Sequence, residues 1–131
     1  MYQIQIEGDF SSAHQLREYQ GKCENLHGHN WLVKISLTGT KLDKAGMLVD
    51  FGIARTYLKE ILSILDHTFL NNTPPFDVIN PSAENICFYL FQEMKAKLNP
   101  HYSHVNVSRV DVWESFKSCA SYWENEGDQN V

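Results

Sequence analysis

A run of alternating apolar and polar residues near the N terminus constrains the fold more than any other feature of this sequence. It spans residues 2–14, and alternation with period two predicts a strand with one buried face. The residues on that face are Tyr2, Ile4, Ile6, Phe10, Ser12 and His14. His14 is therefore expected inside, either as a core histidine hydrogen-bonded by its neighbours or as a ligand in a site.

Three more stretches have the alternation of strands. The second strand has an apolar face made of His29, Trp31, Val33, Ile35 and Leu37. Two last strands are predicted at 105–114 and through 122–123, joined by a short turn.

Two stretches between these strands have apolar residues at helical spacing. Asp50 can cap the first helix, which is predicted to end near Asp66. Its apolar stripe consists of Ile53, Ala54, Tyr57, Leu58, Ile61, Leu62, Ile64 and Leu65. The second helix can be capped by either Asn80 or Ser82, and it ends at Asn99.

The order of elements indicates the fold class. Strand, strand, helix, helix, strand, strand lacks the alternation of a parallel doubly wound sheet, so we predict an α+β fold with a four-stranded antiparallel sheet and two helices on one face. At 131 residues the chain fits one domain, residues 1–131, with an acidic, frayed tail at 124–131.

Charge and composition exclude several classes of function. A net charge of -5 argues against a general nucleic-acid or anionic-membrane binder, because such proteins need a basic face. No apolar run approaches twenty residues, so we expect a cytoplasmic protein without a membrane span. The three cysteines do not have the spacing of a disulfide framework. Cys87 falls within the apolar stripe of the second helix, so we interpret it as a small hydrophobic residue of the core.

The stretch from Cys23 to His29 concentrates groups that bind metals or move protons. His27 and His29 are two residues apart on a predicted strand, so both imidazoles point to one side. With His14 as a third ligand they could hold Zn²⁺ with a position open for substrate, which is the catalytic arrangement. If Cys23 were the fourth ligand, the zinc would be structural, and a site without metal is the third alternative. Left free, Cys23 would act as a thiolate base or nucleophile.

Two more positions are candidates for chemistry. Asp66 and His67 follow the first helix, either as a solvated helix end or as a carboxylate that orients an acid-base histidine. Glu114 shares the strand parity of Val110 and Val112, so it is either an inward carboxylate or an exposed hairpin end. An inward carboxylate could accept the two parallel N–H donors of a pterin or guanine edge.

Taken together, the chain resembles the 6-pyruvoyl-tetrahydropterin synthase superfamily over nearly its whole length, and within it the 6-carboxytetrahydropterin synthases of the queuosine pathway. The residues that carry the resemblance are Phe10-Ser11-Ser12-Ala13-His14, Cys23 with His27-Gly28-His29, Asp50-Phe51, Leu65-Asp66-His67, Asn80-Pro81-Ser82-Ala83-Glu84-Asn85 and Glu114.

The resemblance implies an activity and a role for each site residue. The implied roles are zinc binding by His14, His27 and His29, a catalytic thiol at Cys23, acid-base partners at Asp66 and His67, and a pterin anchor at Glu114. It also implies the tunnelling fold (T-fold), a homohexamer built as a dimer of trimers with sites between subunits, and the substrate 7,8-dihydroneopterin triphosphate. Arg17, Lys22 and Lys117 are candidate contacts for the triphosphate.

The sequence also bears on the product. Family members that release 6-hydroxymethyldihydropterin for folate synthesis carry a Glu at the position of Glu24, so a chain with both Cys23 and Glu24 could serve two pathways. The spacing from Cys23 to His27 is shorter than in the animal enzymes that make 6-pyruvoyltetrahydropterin, which argues against that product. A non-enzymatic, zinc-stabilised binding module remains the alternative from a different class.

Overall fold

A computed structural model describes residues 1–18 and 25–125 of this chain. The elements in chain order are the strands β1 (Tyr2–His14) and β2 (His27–Gly39), the helix α1 (Phe51–Leu65), the strand β3 (Thr68–Phe69), a 3₁₀ turn (Leu70–Asn72), the helix α2 (Ala83–Leu98), and the strands β4 (Asn106–Ser115) and β5 (Ser118–Tyr122). The predicted α+β class is confirmed. Residues 126–131 of the predicted frayed tail lie outside the described ranges.

The strands form one sheet in the order β3-β1-β2-β4-β5. The four predicted strands pair antiparallel, as expected. The prediction of a four-stranded, purely antiparallel sheet was incomplete, because β3 adds a fifth strand that runs parallel to β1. β3 has only two residues, which is too short for any alternation to be recognised in the sequence.

The pairing of β1 with β2 runs without interruption from Tyr2↔Gly39 to His14↔His27. Residues that face each other across an antiparallel pair share one side of the sheet. The register therefore stacks three pairs on the helix-covered face: Phe10 with Trp31, Ser12 with His29, and His14 with His27. The two predicted apolar faces are thus aligned, and both end in histidines.

The pairing of β2 with β4 contains one irregularity. Ser36 faces Arg109 but Leu37 faces Val107, so Ser108 is an extra residue on β4. An extra residue reverses the inward–outward alternation of the side chains beyond it. Val107 and Val110 consequently both face the core, where each is less than 5% exposed.

Both helices begin at side-chain caps. Asp50 accepts hydrogen bonds from the backbone N–H groups of Gly52 and Ile53, and Ser82 accepts one from Asn85. Ser82, rather than Asn80, is therefore the N-cap of α2, and a cap of this kind stabilises a helix by about 1 kcal/mol.

The two helices pack on one face of the sheet. The buried residues of α1 are Ala54, Leu58, Ile61, Leu62 and Leu65, and full burial of each larger side chain contributes about 1.5–3 kcal/mol. Ile53 and Ile64 were wrongly included in the buried stripe, since they are 38% and 54% exposed. Among the described residues, neither helix is long and apolar enough to cross a membrane.

Candidate metal and active site

Three histidines and one glutamate converge where β1 and β4 end and β2 begins, on the helix-covered side of the sheet. They are His14, His27, His29 and Glu114, and one potential ligand atom from each lies within 4.8 Å of the others. The Nε2 atoms of His14 and His27 are 3.0 Å apart. Glu114 Oε1 lies 2.8 Å from His29 Nε2, 3.8 Å from His27 Nε2 and 3.9 Å from His14 Nε2.

Hydrogen bonds to the other ring nitrogens orient two of the imidazoles. Nδ1 of His14 is 2.7 Å from the carbonyl oxygen of Pro81, and Nδ1 of His27 is 2.8 Å from that of Asn25. A carbonyl oxygen only accepts, so in the neutral rings Nδ1 is the donor and Nε2 carries the lone pair. Such backbone partners are typical of metal-binding histidines.

This arrangement fits a divalent cation. Two acceptor nitrogens 3.0 Å apart repel each other unless a positive charge lies beside them. A tetrahedral site with Zn–N distances of about 2.0–2.1 Å separates neighbouring ligand atoms by roughly 3.3 Å. The four separations given above, from 2.8 to 3.9 Å, lie on both sides of that value, and no pair of ligand atoms in the cluster is more than 4.8 Å apart.

The site is closed on one side and open on the other. His14 is 1% exposed and has the ring of Trp31 against it, with centroids 5.0 Å apart, whereas the side chains of His27 and Glu114 are about one-third exposed. A cleft of ≈ 530 Å³ adjoins the open side and is lined by His29, Glu114, Leu32, Trp113 and Phe116, among others. Apolar walls with a few convergent polar groups are the usual features of a small-molecule site.

Asp66 and His67 form the predicted carboxylate–imidazole pair. Nδ1 of His67 lies 3.0 Å from Asp66 Oδ2, and the N–H of Ser11 donates to Asp66 Oδ1 at 2.8 Å. That backbone bond, together with the contacts to His67, holds the pKa of Asp66 below its usual value despite an opposing contribution from desolvation. His67 has the left-handed backbone conformation, with φ 55°, which is uncommon outside glycine and concentrates at functional sites.

This pair does not join the histidine cluster through its hydrogen bonds. Both of its anchors are on Ser11, since the N–H of His67 also donates to the Ser11 carbonyl. Ser11 is three residues before His14, which is about 10 Å along an extended strand. The side chain of His67 is 84% exposed.

The sequence predictions and the structure can be compared residue by residue. The structure brings His14, His27 and His29 together, as the metal-site alternative required. Of the two alternatives for Glu114, the structure has the carboxylate turned toward these histidines, with its side chain 34% exposed. The contact of Glu114 with the histidines was missed, because strand parity does not reveal which strand ends meet. Cys23 and Glu24 lie outside the described residues.

Comparisons with known proteins identify the family of this chain. The family model of 6-pyruvoyl tetrahydropterin synthase matches residues 3–125. A putative 6-carboxy-5,6,7,8-tetrahydropterin synthase of Archaeoglobus fulgidus is 35% identical over 86% of this chain and 87% of its own. The 6-carboxy-5,6,7,8-tetrahydropterin synthase of Haemophilus influenzae is 29% identical over 95% of this chain and 100% of its own.

A solved structure shows the same fold. The 6-pyruvoyl tetrahydropterin synthase of Caenorhabditis elegans superposes with a TM-score of 0.80 at 25% identity, over 95% of this chain and 96% of that one. The chain belongs to the 6-pyruvoyl tetrahydropterin synthase family. The predictions of the T-fold and of an enzyme of this family are thereby confirmed.

Proposed function

We propose that this protein is a zinc-dependent lyase of queuosine biosynthesis. It converts 7,8-dihydroneopterin triphosphate and one water to 6-carboxy-5,6,7,8-tetrahydropterin, acetaldehyde and triphosphate. The observation that carries the proposal is the convergence of three imidazoles and a carboxylate at the edge of an open cleft. The names of the curated relatives support this choice of product.

His14, His27 and His29 would hold the zinc ion. The bound cation would supply Lewis-acid chemistry, which acidifies C–H and O–H groups next to an oxygen that it binds. The backbone carbonyls of Pro81 and Asn25 keep two of these imidazoles in the tautomer that binds a cation.

Proton transfer is assigned to two groups on opposite sides of the substrate. Cys23, as the thiolate, removes or returns a proton on one side. On the other side His67 exchanges a proton at Nε2, because its Nδ1 is held by Asp66. The pKa of Asp66 lies below its usual value, so the carboxylate is ionised at neutral pH and can stabilise a charged imidazole when His67 holds the extra proton.

Glu114 anchors the pterin ring. Its carboxylate faces the cleft beside Trp113 and Phe116, where a flat heteroaromatic ring can pack against aromatic side chains. The ring N–H and exocyclic amine of a pterin form two parallel donors, which suit bidentate acceptance by a carboxylate.

The active enzyme is a homohexamer, a dimer of trimers, in which neighbouring subunits complete one another's sites. Two features of the single chain support shared sites. Asp66 and His67 are anchored about 10 Å along β1 from His14, and the His67 side chain is exposed enough to reach a neighbouring subunit.

Product analysis tests the reaction. Purified protein incubated with 7,8-dihydroneopterin triphosphate should form 6-carboxy-5,6,7,8-tetrahydropterin. Formation of 6-hydroxymethyl-7,8-dihydropterin alone would assign the protein to folate synthesis, and 6-pyruvoyltetrahydropterin would assign it to the third known product class. If Cys23 and Glu24 direct different products, the variants Glu24→Ala and Cys23→Ala should each lose a different one of the first two products.

The alternative from another class is a binding module in which Cys23 completes a structural zinc site. It predicts that Cys23→Ser loses metal and fold together. The lyase proposal predicts retained zinc and lost turnover. The lyase proposal needs only His14, His27 and His29 as zinc ligands, and these three side chains converge with no contribution from the thiol.

A further inference from the structure

The segment that leaves β1 is held by the side chains of two asparagines. Asn71 accepts a hydrogen bond from the N–H of Gln15 at 2.9 Å and donates one to the Gln15 carbonyl at 2.7 Å. Asn80 does the same for Arg17, with both distances 2.7 Å. Each amide therefore satisfies the N–H and the C=O of one residue, as a neighbouring strand would.

The guanidinium of Arg17 donates hydrogen bonds to backbone carbonyls of residues 71–79, the segment that begins at Asn71 and leads to Asn80. Nη2 donates to the carbonyl of Phe76 at 2.6 Å and to that of Asn71 at 3.3 Å, while Nη1 donates to Ile79 at 3.2 Å. The carbonyl groups of three loop residues thus accept hydrogen bonds from one planar guanidinium group. A lysine ammonium is a point donor on a flexible stem and cannot reproduce this fork.

The same loop leads directly to the metal site. Pro81, the residue after Asn80, supplies the carbonyl that accepts from His14 Nδ1 at 2.7 Å. Gln15, the residue after His14, is the one held by Asn71. His14 is therefore fixed at its ring by Pro81 and at its backbone by the neighbouring Gln15, and it is 1% exposed.

We propose that Arg17 is a positioning residue for the metal site: it shapes residues 71–80 so that the Pro81 carbonyl orients His14. This role replaces the candidacy of Arg17 as a triphosphate contact, since three of its five N–H donors are used by backbone carbonyls. This inference rests on the proposed function only in that His14, His27 and His29 bind a divalent cation.

Cobalt binding tests the inference without any turnover. Co²⁺ is titrated into metal-free wild type, Arg17→Ala, Arg17→Lys and the control Arg55→Ala, whose side chain lies on the exposed side of α1. Loss of an outer partner of a metal ligand typically weakens metal binding 10–100-fold. We expect Arg17→Ala and Arg17→Lys to bind Co²⁺ about 10-fold more weakly and with an altered visible absorption spectrum, and Arg55→Ala to match wild type.

Kinetics separates positioning from phosphate binding. A positioning role predicts a lower kcat with little change in KM, and no rescue by lysine. A phosphate contact predicts a raised KM that Arg17→Lys largely restores, with unchanged Co²⁺ binding. Circular dichroism identifies any variant that has unfolded, and Arg17→Lys keeps the charge and most of the volume if Arg17→Ala does not fold.

The outcomes distinguish this inference from the proposed function. Unchanged Co²⁺ affinity and spectrum in folded Arg17 variants would overturn the positioning role. A wild-type protein that binds Co²⁺ but does not cleave the pterin substrate would overturn the lyase proposal and leave the cobalt comparison valid. A wild-type protein that binds no Co²⁺ would overturn both.

Discussion

His14 and His27 face each other at the last register position of the β1–β2 pair, with their Nε2 atoms 3.0 Å apart. Each ring donates from Nδ1 to a backbone carbonyl, so the lone pairs of both Nε2 atoms point toward the same space. The sheet register, and not a flexible loop, thus fixes the separation of these two imidazoles. Sites built on strands hold their geometry more precisely than sites on loops.

His27→Ala should abolish metal binding with little loss of structure. His27 is one-third exposed, so its removal leaves less of a cavity than removal of the buried His14. We expect the zinc content, measured by plasma mass spectrometry, to fall from about one ion per chain to near zero, because one of three protein ligands is lost. His101→Ala, which alters an exposed histidine outside the cluster, should retain full zinc, and full zinc in His27→Ala would contradict the assigned ligand set.

Asp66→Asn should slow turnover more than it weakens substrate binding. The neutral amide can still accept from His67 but cannot stabilise a protonated imidazole. Because general acid-base catalysis typically contributes about 10²–10⁴-fold, we expect kcat to fall within that range with KM nearly unchanged. Steady-state kinetics measures both constants, and a raised KM with normal kcat would place Asp66 in substrate binding instead.

Asp66→Asn should also change how the free energy of unfolding depends on pH under acidic conditions. A lowered pKa in the folded state stabilises the protein above the unfolded pKa of about 3.8, and this contribution is lost as pH falls through the folded pKa. Wild type should therefore lose more stability than Asp66→Asn as pH drops below about 4. Urea unfolding midpoints at stepped pH would show this, and parallel curves would mean that the Ser11 hydrogen bond does not favour the ionised form.

The placement of the three histidines on one face of the sheet could be predicted from the sequence, whereas their hydrogen-bond partners could not. Period two places His14 on the face of Phe10, and His27 and His29 on the face of Trp31, which is the arrangement in the sheet. The carbonyls of Pro81 and Asn25 that orient two of these rings come from loops without periodicity. Loop backbone carries no pattern that reveals which carbonyl meets a buried ring.

Other differences have similarly local causes. Ile53 and Ile64 fit helical spacing but lie beside the buried stripe of α1, where the side chains are already exposed to solvent. Arg17 was a candidate phosphate contact on its charge alone, and the three carbonyls to which its guanidinium donates could not be foreseen because they are more than fifty residues away in sequence. The sequence shows that a positively charged side chain can donate hydrogen bonds, but it does not show which acceptors it binds in the folded protein.

Thiol labelling should distinguish the three cysteines. Burial is the largest of the effects that raise the pKa of Cys87 to about 12, and its Sγ donates to the Ala120 carbonyl, so it should not react at neutral pH until the protein unfolds. Cys119 is exposed and should react in the native state. In Cys119→Ser, native labelling therefore reports Cys23, as peptide mass spectrometry can verify. Native labelling of Cys87 would contradict its position in the core.

Gly8→Ala should destabilise the packing of α1 on β1. A Cβ at this position would lie 2.8 Å from Leu62 Cδ1 and 3.0 Å from Leu58 Cδ2, and both leucines are buried, so their side chains have little room to move. Overpacking of this kind costs about 1–3 kcal/mol in the free energy of unfolding. The matched control is Gly28→Ala in β2, where the nearest atom to the new Cβ, the Ser12 carbonyl oxygen, is 3.8 Å away. Denaturant unfolding should show a lower midpoint for Gly8→Ala than for Gly28→Ala, and equal midpoints would mean that α1 shifts on the sheet without a measurable loss of stability.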